Sequence, residues 1–271
     1  KIFENNEKYK RVGGRRMQEV VGFIPAAGVG SRMSGFPIMK EMLPMPASVS
    51  KDEKTSILID NAIRSMIDNG ITTIVFVVND EKRELINYIN REYVYPQKIQ
   101  AAFIYQRIDG KHYGVPFAIE SAYNFLKGKT VVMRFPDTLL LADVNLEGLL
   151  KCHESNNSDL TLGIFQTAYP ERLGPVHMDK AGMISKLEDK PKGPTVYNTW
   201  NCIVWGDKFT DEVVHCINEK KSQGNEKEMI IAEIMQKFIA QKRAYAYEFE
   251  NVVCIDVSSI KELEKIWENK N

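Results

Sequence analysis

The run Ile71–Val78, apolar along almost its whole length, constrains the fold more than any other stretch of the chain. A strand that alternates apolar and polar residues can leave one face in water. A strand that is apolar throughout must be covered on both faces, as in a parallel sheet sandwiched by helices. Val20–Ile24, Ala101–Tyr105, Thr130–Phe135 and Leu160–Phe165 read as further strands. Ile57–Ile67, Glu81–Asn90, Pro116–Leu126 and Leu146–Glu154 read as the helices between them. The first of these helices places Ile59, Ile63, Met66 and Ile67 at helical spacing and stops at Asn69-Gly70. Pro116 suits a first helical turn. Strand–helix alternation predicts an α/β fold, with a Rossmann-like, mainly parallel (mixed) sheet flanked by helices on both faces.

Beyond Tyr169 the rhythm changes. Short extended pieces are predicted around Val176, Met183–Lys186 and Cys202–Trp205, then helices over Asp211–Lys221 and Glu228–Ala240. Strands follow over Ala244–Phe249 and Val252–Ile255, with a last helix over Ser258–Glu268 capped by Ser258. These read as small β insertions onto the same core, so residues 17–271 are expected to form one domain. Residues 1–16 are polar and aperiodic, the pattern of a flexible extension or an expression remnant, and Met17 would make a natural start. Pro46–Thr55 reads as a polar loop.

Composition removes several classes of function. Lys+Arg and Asp+Glu both total 36, and the balance argues against nucleic acid as a partner. No apolar run approaches the ~20 residues of a membrane span. No signal-peptide pattern is present. Cys152, Cys202, Cys216 and Cys254 form neither a CxxC nor a zinc spacing, which suits reduced thiols and a cytoplasmic location. His112, His153, His177 and His215 are scattered without metal-ligand spacing.

The chemistry concentrates between Val20 and Pro44. The first strand ends in Ala26-Ala27-Gly28-Val29-Gly30-Ser31, with Arg32 next and Lys40 eight residues later. Small residues and glycines let a ligand approach the backbone and let its N–H groups turn inward. Cations just behind would neutralise phosphate charge. A dinucleotide fingerprint would need a third glycine where Met33 stands, and a P-loop would need Gly-Lys-Ser/Thr. Taken alone, the loop also reads as a plain glycine-rich turn between strand and helix.

IPAAGVGSRM followed by Lys40-Glu41-Met42-Leu43-Pro44 resembles the signature of the sugar-1-phosphate nucleotidyltransferases. That family includes glucose-1-phosphate thymidylyltransferase and UTP–glucose-1-phosphate uridylyltransferase. The first half is more similar to the uridylyltransferase, the later motifs to the thymidylyltransferase, and the resemblance runs from Val20 to Trp267. It implies a nucleotide-diphospho-sugar transferase-like fold. It also implies transfer of a nucleotidyl group from dTTP or UTP to a sugar 1-phosphate, with Mg²⁺ as cofactor. The two substrates would be the partners, and the sequence leaves a homo-oligomer open.

The resemblance assigns roles residue by residue. Arg32 and Lys40 would grip the triphosphate and the transition state. Ala26, Ala27, Gly28, Gly30, Gln106 and Gly114 would hold the nucleotide. Asp137, just past the apolar run Val131–Phe135, lies where ligands of open α/β sheets bind, although a turn-starting Asp would look the same. With Asp256 in Cys254-Ile255-Asp256-Val257, it would hold the metal. Leu187-Glu188-Asp189-Lys190-Pro191 resembles the family's Glu-Lys-Pro, with Lys190 as the sugar-phosphate anchor. Asp189 stands where the family has Glu, which withdraws the carboxylate by about 1.5 Å, so Glu188 is the alternative. Tyr169–Val176 resembles the family's Pro-Glu-Arg-Tyr-Gly segment and would bring Gly174 to the sugar. Trp200 and Asn201 replace a family Thr and Gly in the sugar-binding turn, and Trp200 reads equally as core. Two other readings compete: a non-catalytic sugar-nucleotide-binding homologue, and a cytidylyltransferase acting on a non-sugar phosphate. The first would be favoured by loss of Arg32, Lys40 or Asp137, and all three are present.

Overall fold

The computed structural model describes residues 11–12, 15–16, 19–28, 38–47, 49, 56–107, 113–224, 229–257 and 259–268. In chain order the elements are β1 (Arg11–Val12), β2 (Arg15–Arg16), β3 (Val20–Pro25), β4 (Pro44–Met45), β5 (Ser56–Ile57) and α1 (Leu58–Asp68). Next come β6 (Thr73–Val78), α2 (Arg83–Ile89), β7 (Gln100–Tyr105), α3 (Val115–Ser121), α4 (Tyr123–Leu126), β8 (Thr130–Met133) and β9 (Thr138–Leu141). The second half holds α5 (Leu146–Ser155), β10 (Leu160–Gln166), β11 (Val176–Met178), β12 (Ile184–Leu187) and β13 (Asn198–Trp205). It closes with α6 (Asp207–Ser222), α7 (Ile231–Ala240), β14 (Ala244–Glu248), β15 (Val253–Asp256) and α8 (Ile260–Glu268).

Seven strands build the central sheet in the order β14-β10-β13-β8-β3-β6-β7. All neighbours pair parallel except β13, which runs against both β10 and β8. The expected mixed, mainly parallel sheet is therefore present. Successive strand residues point to opposite faces. Val75 and Val77 join a core with α3, α6 and α7, while Ile74, Phe76 and Val78 join another with α1, α2 and α5. Ile71–Val78 is apolar because each of its two faces has helices to pack against.

A third, smaller core decides the shape of the site. Leu43, Met45, Leu58, Leu139, Val257, Leu263 and Ile266 pack together. They come from the segment after Lys40, the start of α1, β9 just past Asp137, the residue after Asp256, and α8. Burial of these side chains, worth about 1.5–3 kcal/mol each, draws these five segments to one place.

Several boundaries differ from those read in the sequence. β9, β4 and β5 were not foreseen. β9 pairs antiparallel with β15 in a two-stranded sheet of its own, too short to show a period. The β8 strand stops at Met133 because Phe135-Pro136 turns the chain toward β9. The predicted helix Pro116–Leu126 is two helices meeting at Ala122, and the break turns Tyr123 toward α6, where its hydroxyl donates to Asp211 at 2.8 Å. The α6 helix starts at Asp207 rather than Asp211, because Thr210 accepts from the buried Trp205 Nε1 at 2.9 Å. Ser258 lies outside the described residues. Ser259 receives the Glu262 N–H at 3.4 Å and donates to the Glu262 carboxylate at 2.9 Å, a reciprocal cap at the head of α8.

All four cysteines are free. His153 is buried against Thr161 and Ser158, at 2.9 and 3.0 Å, and burial pulls it down to about 4. No described helix is long and apolar enough to cross a membrane.

Candidate active site

β3, β6, β7 and β8 are parallel, so their C-terminal ends share one edge of the sheet, where ligands of open α/β folds bind. Ala26–Gly28 leaves β3 there. Ala26 N donates to Val77 O at 2.7 Å, and Ala26 and Ala27 are buried while Gly28 is exposed. Asn79, just past β6, donates from Nδ2 to Ala27 O at 2.8 Å and accepts from Glu81 N at 2.9 Å. It fastens the Ala26–Gly28 turn to the neighbouring strand. The sequence reading missed it, although an Asn at the C-terminal end of a buried strand is a signal worth following. Gln106 follows β7, is buried, and donates its backbone N–H to Val78 O at 2.8 Å. Gly114 caps α3 with a φ of 98°, a left-handed conformation that favours glycine. Gly30 and Arg32 lie outside the described residues.

Lys40 opens a 3₁₀ turn, Lys40–Met42. Its Nζ is 2.7 Å from Asp137 Oδ2, across 97 residues of sequence. The lysine is 9% exposed and the aspartate 29%. The next residue, Glu41, is buried and receives two hydrogen bonds of 2.8 Å from Lys82 Nζ. That ion pair, with side chains 6% and 5% exposed, ties the turn to the loop after β6. Nothing in the local sequence distinguishes Lys82 from a surface lysine.

Asp137 and Asp256 come together. Asp256 pairs with Thr138 in the β15–β9 register, and Val257 N donates to Asp137 O at 3.1 Å. The two aspartates thus stand at neighbouring backbone positions, and one or two carboxylates are what magnesium takes when phosphates and water supply the rest. Among the described residues no group of three or more metal-ligating side chains exists.

The segments expected to bind the sugar phosphate also meet. β11 and β12 pair antiparallel, Val176 opposite Leu187. Glu188 N donates to Pro175 O and Lys190 N to Leu173 O, both at 2.9 Å, so Gly174 lies between the ends of the Glu188–Lys190 segment. Lys190 is exposed and takes a φ of 45°, Asp189 is exposed, and α7 supports the hairpin through Gln236 Nε2 to Leu187 O at 2.8 Å. The Glu188 carboxylate is paired with Lys186, which holds it below the usual carboxylate range, and His177 Nε2 lies 3.5 Å away.

Because β13 is reversed, its first residues reach the same sheet edge. Trp200 there is half-buried and tilts against Phe135, with ring centroids 5.8 Å apart. A Cβ on Gly174 would sit 2.6 Å from Trp200 Nε1, so the glycine makes room for the indole. Phe135 lies two residues before Asp137, and the sequence reading did not use it. Trp200 thus connects the Gly174 segment with the turn that runs from Phe135 to Asp137. Asn201 falls where the β10–β13 register slips, and its buried Oδ1 has no hydrogen-bond partner. None of the described candidate residues lines the cleft of about 760 Å³ between α1 and Leu139–Asn145.

The chain belongs to the nucleotidyl transferase family, whose profile matches residues 21–270. Its fold is shared with a solved structure described as a glucose-1-phosphate thymidylyltransferase from Bacillus anthracis in complex with a sucrose. The two are 18% identical with a TM-score of 0.75, and the match covers 91% of this chain and 93% of the other. No curated protein matches the chain.

Proposed function

We propose that this protein transfers a nucleotidyl group from a pyrimidine nucleoside triphosphate, dTTP or UTP, to a sugar 1-phosphate. The products are an NDP-sugar and pyrophosphate. The observation that carries the reading is the 2.7 Å pair of Lys40 and Asp137 at the sheet edge, with the Asp256 strand bonded alongside. A sugar-phosphate oxygen attacks the α-phosphorus, a new P–O bond forms, and the bond to the β-phosphate oxygen breaks. Both reactants are anions, so alignment and charge stabilisation are the enzyme's main tasks.

A bound Mg²⁺ would supply Lewis-acid stabilisation of the negative charge on the phosphates. Asp137 and Asp256 would hold it. Without substrate, Lys40 and Asp137 neutralise each other. When the triphosphate enters, Lys40 Nζ turns to the phosphate oxygens, guided by the buried Glu41–Lys82 pair that fixes its turn. Arg32 would add the second cation. Ala26, Ala27, Gly28, Gly30, Gln106 and Gly114 would line the nucleotide, and Gly174, Glu188, Asp189, Lys190 and Trp200 the sugar phosphate. Four free thiols suit a reducing cytoplasm.

The two lysines separate kinetically. Lys40→Ala is expected to lower kcat by about 10² or more, the scale of losing one transition-state charge stabiliser. Lys190→Ala is expected chiefly to raise KM for the sugar phosphate, since an anchor binds ground and transition states alike. Steady-state kinetics in both substrates checks this, and the reverse pattern would exchange the two roles.

Selectivity should differ from the glucose enzymes. Asp189, Trp200 and Asn201 depart together from the family pattern, and the Trp200 indole occupies the space above Gly174. Glucose 1-phosphate is expected to show a kcat/KM about 10-fold or more below that of the best sugar 1-phosphate, as changed pocket contacts of 1–3 kcal/mol imply. A glucose 1-phosphate value that matches or exceeds every other sugar tested would make these substitutions neutral.

A further inference from the structure

Arg134 stands at the end of β8, three residues before Asp137, and its relative exposure is 0%. Its Nη1 donates to Ser65 Oγ at 2.5 Å and its Nη2 to Asn61 Oδ1 at 3.0 Å, while Nε has no partner. No carboxylate among the described residues pairs with it. The thiols of Cys202 and Cys254 are its neighbours, and burial raises them to about 11 and about 12 and so keeps them neutral, while burial holds the guanidinium below the ordinary arginine range. A buried charge without a counter-ion is costly, and replacing such a group by an apolar one of similar volume is often neutral or stabilising. Stability alone does not account for it.

The hydrogen bonds show what the guanidinium holds. Asn61 Oδ1 also accepts from Leu140 N at 2.9 Å, and Asn61 Nδ2 donates to Leu140 O at 3.0 Å. Ser65 Oγ in turn donates to Ala62 O at 2.8 Å, within α1. Arg134 and Leu140 lie three residues before and three after Asp137. Both are fastened to the same face of α1, through one shared amide. The turn that carries the aspartate is therefore pinned at each end to a rigid helix.

We propose that Arg134 is a positioning residue for Asp137: by clamping the β8–β9 turn to α1 through Asn61 and Ser65, it fixes where the carboxylate meets the metal. This rests on the reading of Asp137 as a metal ligand. Groups that orient a metal ligand without touching the metal typically alter affinity by 10–100-fold.

The test compares Arg134→Met, Arg134→Lys, Asn61→Ala and Asp137→Asn in the full chain. Mn²⁺ binding in the presence of nucleoside triphosphate is read by electron paramagnetic resonance, beside the Mg²⁺ dependence of pyrophosphate release and the Tm. Arg134→Met is expected to weaken Mn²⁺ binding and raise the half-activating Mg²⁺ about 10-fold or more. Its Tm should be unchanged or higher, and its KM for sugar phosphate should stay within about two-fold of the parent. Arg134→Lys, which keeps a charge and a donor, should recover part of the affinity. Should Arg134→Met fail to fold, Asn61→Ala removes the shared amide and is expected to show the same metal defect. Unchanged Mn²⁺ affinity in whichever of these folds, with Asp137→Asn impaired, would overturn the positioning role alone. Unimpaired metal binding in Asp137→Asn would overturn the ligand assignment itself, and this proposal with it.

Discussion

Asp137→Asn is expected to cut turnover by about 10³ or more while leaving the protein folded. Metal-derived charge stabilisation is worth several kcal/mol, and each 1.36 kcal/mol is tenfold in rate. Asn keeps the side-chain volume, and the backbone contact from Val257 N to Asp137 O does not involve the side chain. The substitution removes the ion pair with Lys40, but an aspartate 29% exposed contributes at most about 1 kcal/mol of stability through such a pair. Activity and stability should therefore part company. Pyrophosphate release measured beside thermal unfolding checks the outcome. Near-normal release would remove Asp137 from the metal site.

The largest loss of stability is expected at Lys82. Its ammonium donates both 2.8 Å bonds to Glu41, and neither side chain is more than 6% exposed. Lys82→Met leaves the Glu41 carboxylate buried without its counter-ion, which costs about 3–5 kcal/mol. Because Glu41 adjoins Lys40 in the same 3₁₀ turn, Lys40 loses the support of that turn as well. The double variant Lys82→Met with Glu41→Leu buries no charge and should regain most of the stability. Urea unfolding of the single and double variants checks both statements. A single variant within about 1 kcal/mol of the parent would show that water reaches the pair.

The fold was legible where burial leaves a pattern. Ile71–Val78 and its neighbours are apolar because both sheet faces are covered, and a run of that kind needs no partner to be recognised. β9 was not legible, since its four residues become a strand only by pairing with β15, more than a hundred residues away. In the candidate site, Lys40, Asp137 and Asp256 were each singled out as candidates by their local motif. Their meeting was not, because Lys40 and Asp137 stand 97 positions apart and the chain between them carries no trace of the contact. Glu41, Lys82 and Arg134 escaped for a related reason. A charged residue reads as a solvated one, and only the packed structure reveals that these three are buried. Trp200 read equally as core or as sugar platform, and its place above Gly174 and against Phe135 depended on a glycine and a strand reversal that no local spacing records.

The central claim is that this chain joins a nucleoside triphosphate to a sugar 1-phosphate. Pyrophosphate release over a grid of nucleoside triphosphates and sugar 1-phosphates, with Mg²⁺ and with EDTA, tests it most directly. Release is predicted only when a sugar 1-phosphate and dTTP or UTP are present together, and it should stop when the metal is chelated. Binding of either substrate without release from any pair, or release only with CTP and a non-sugar phosphate, would contradict it.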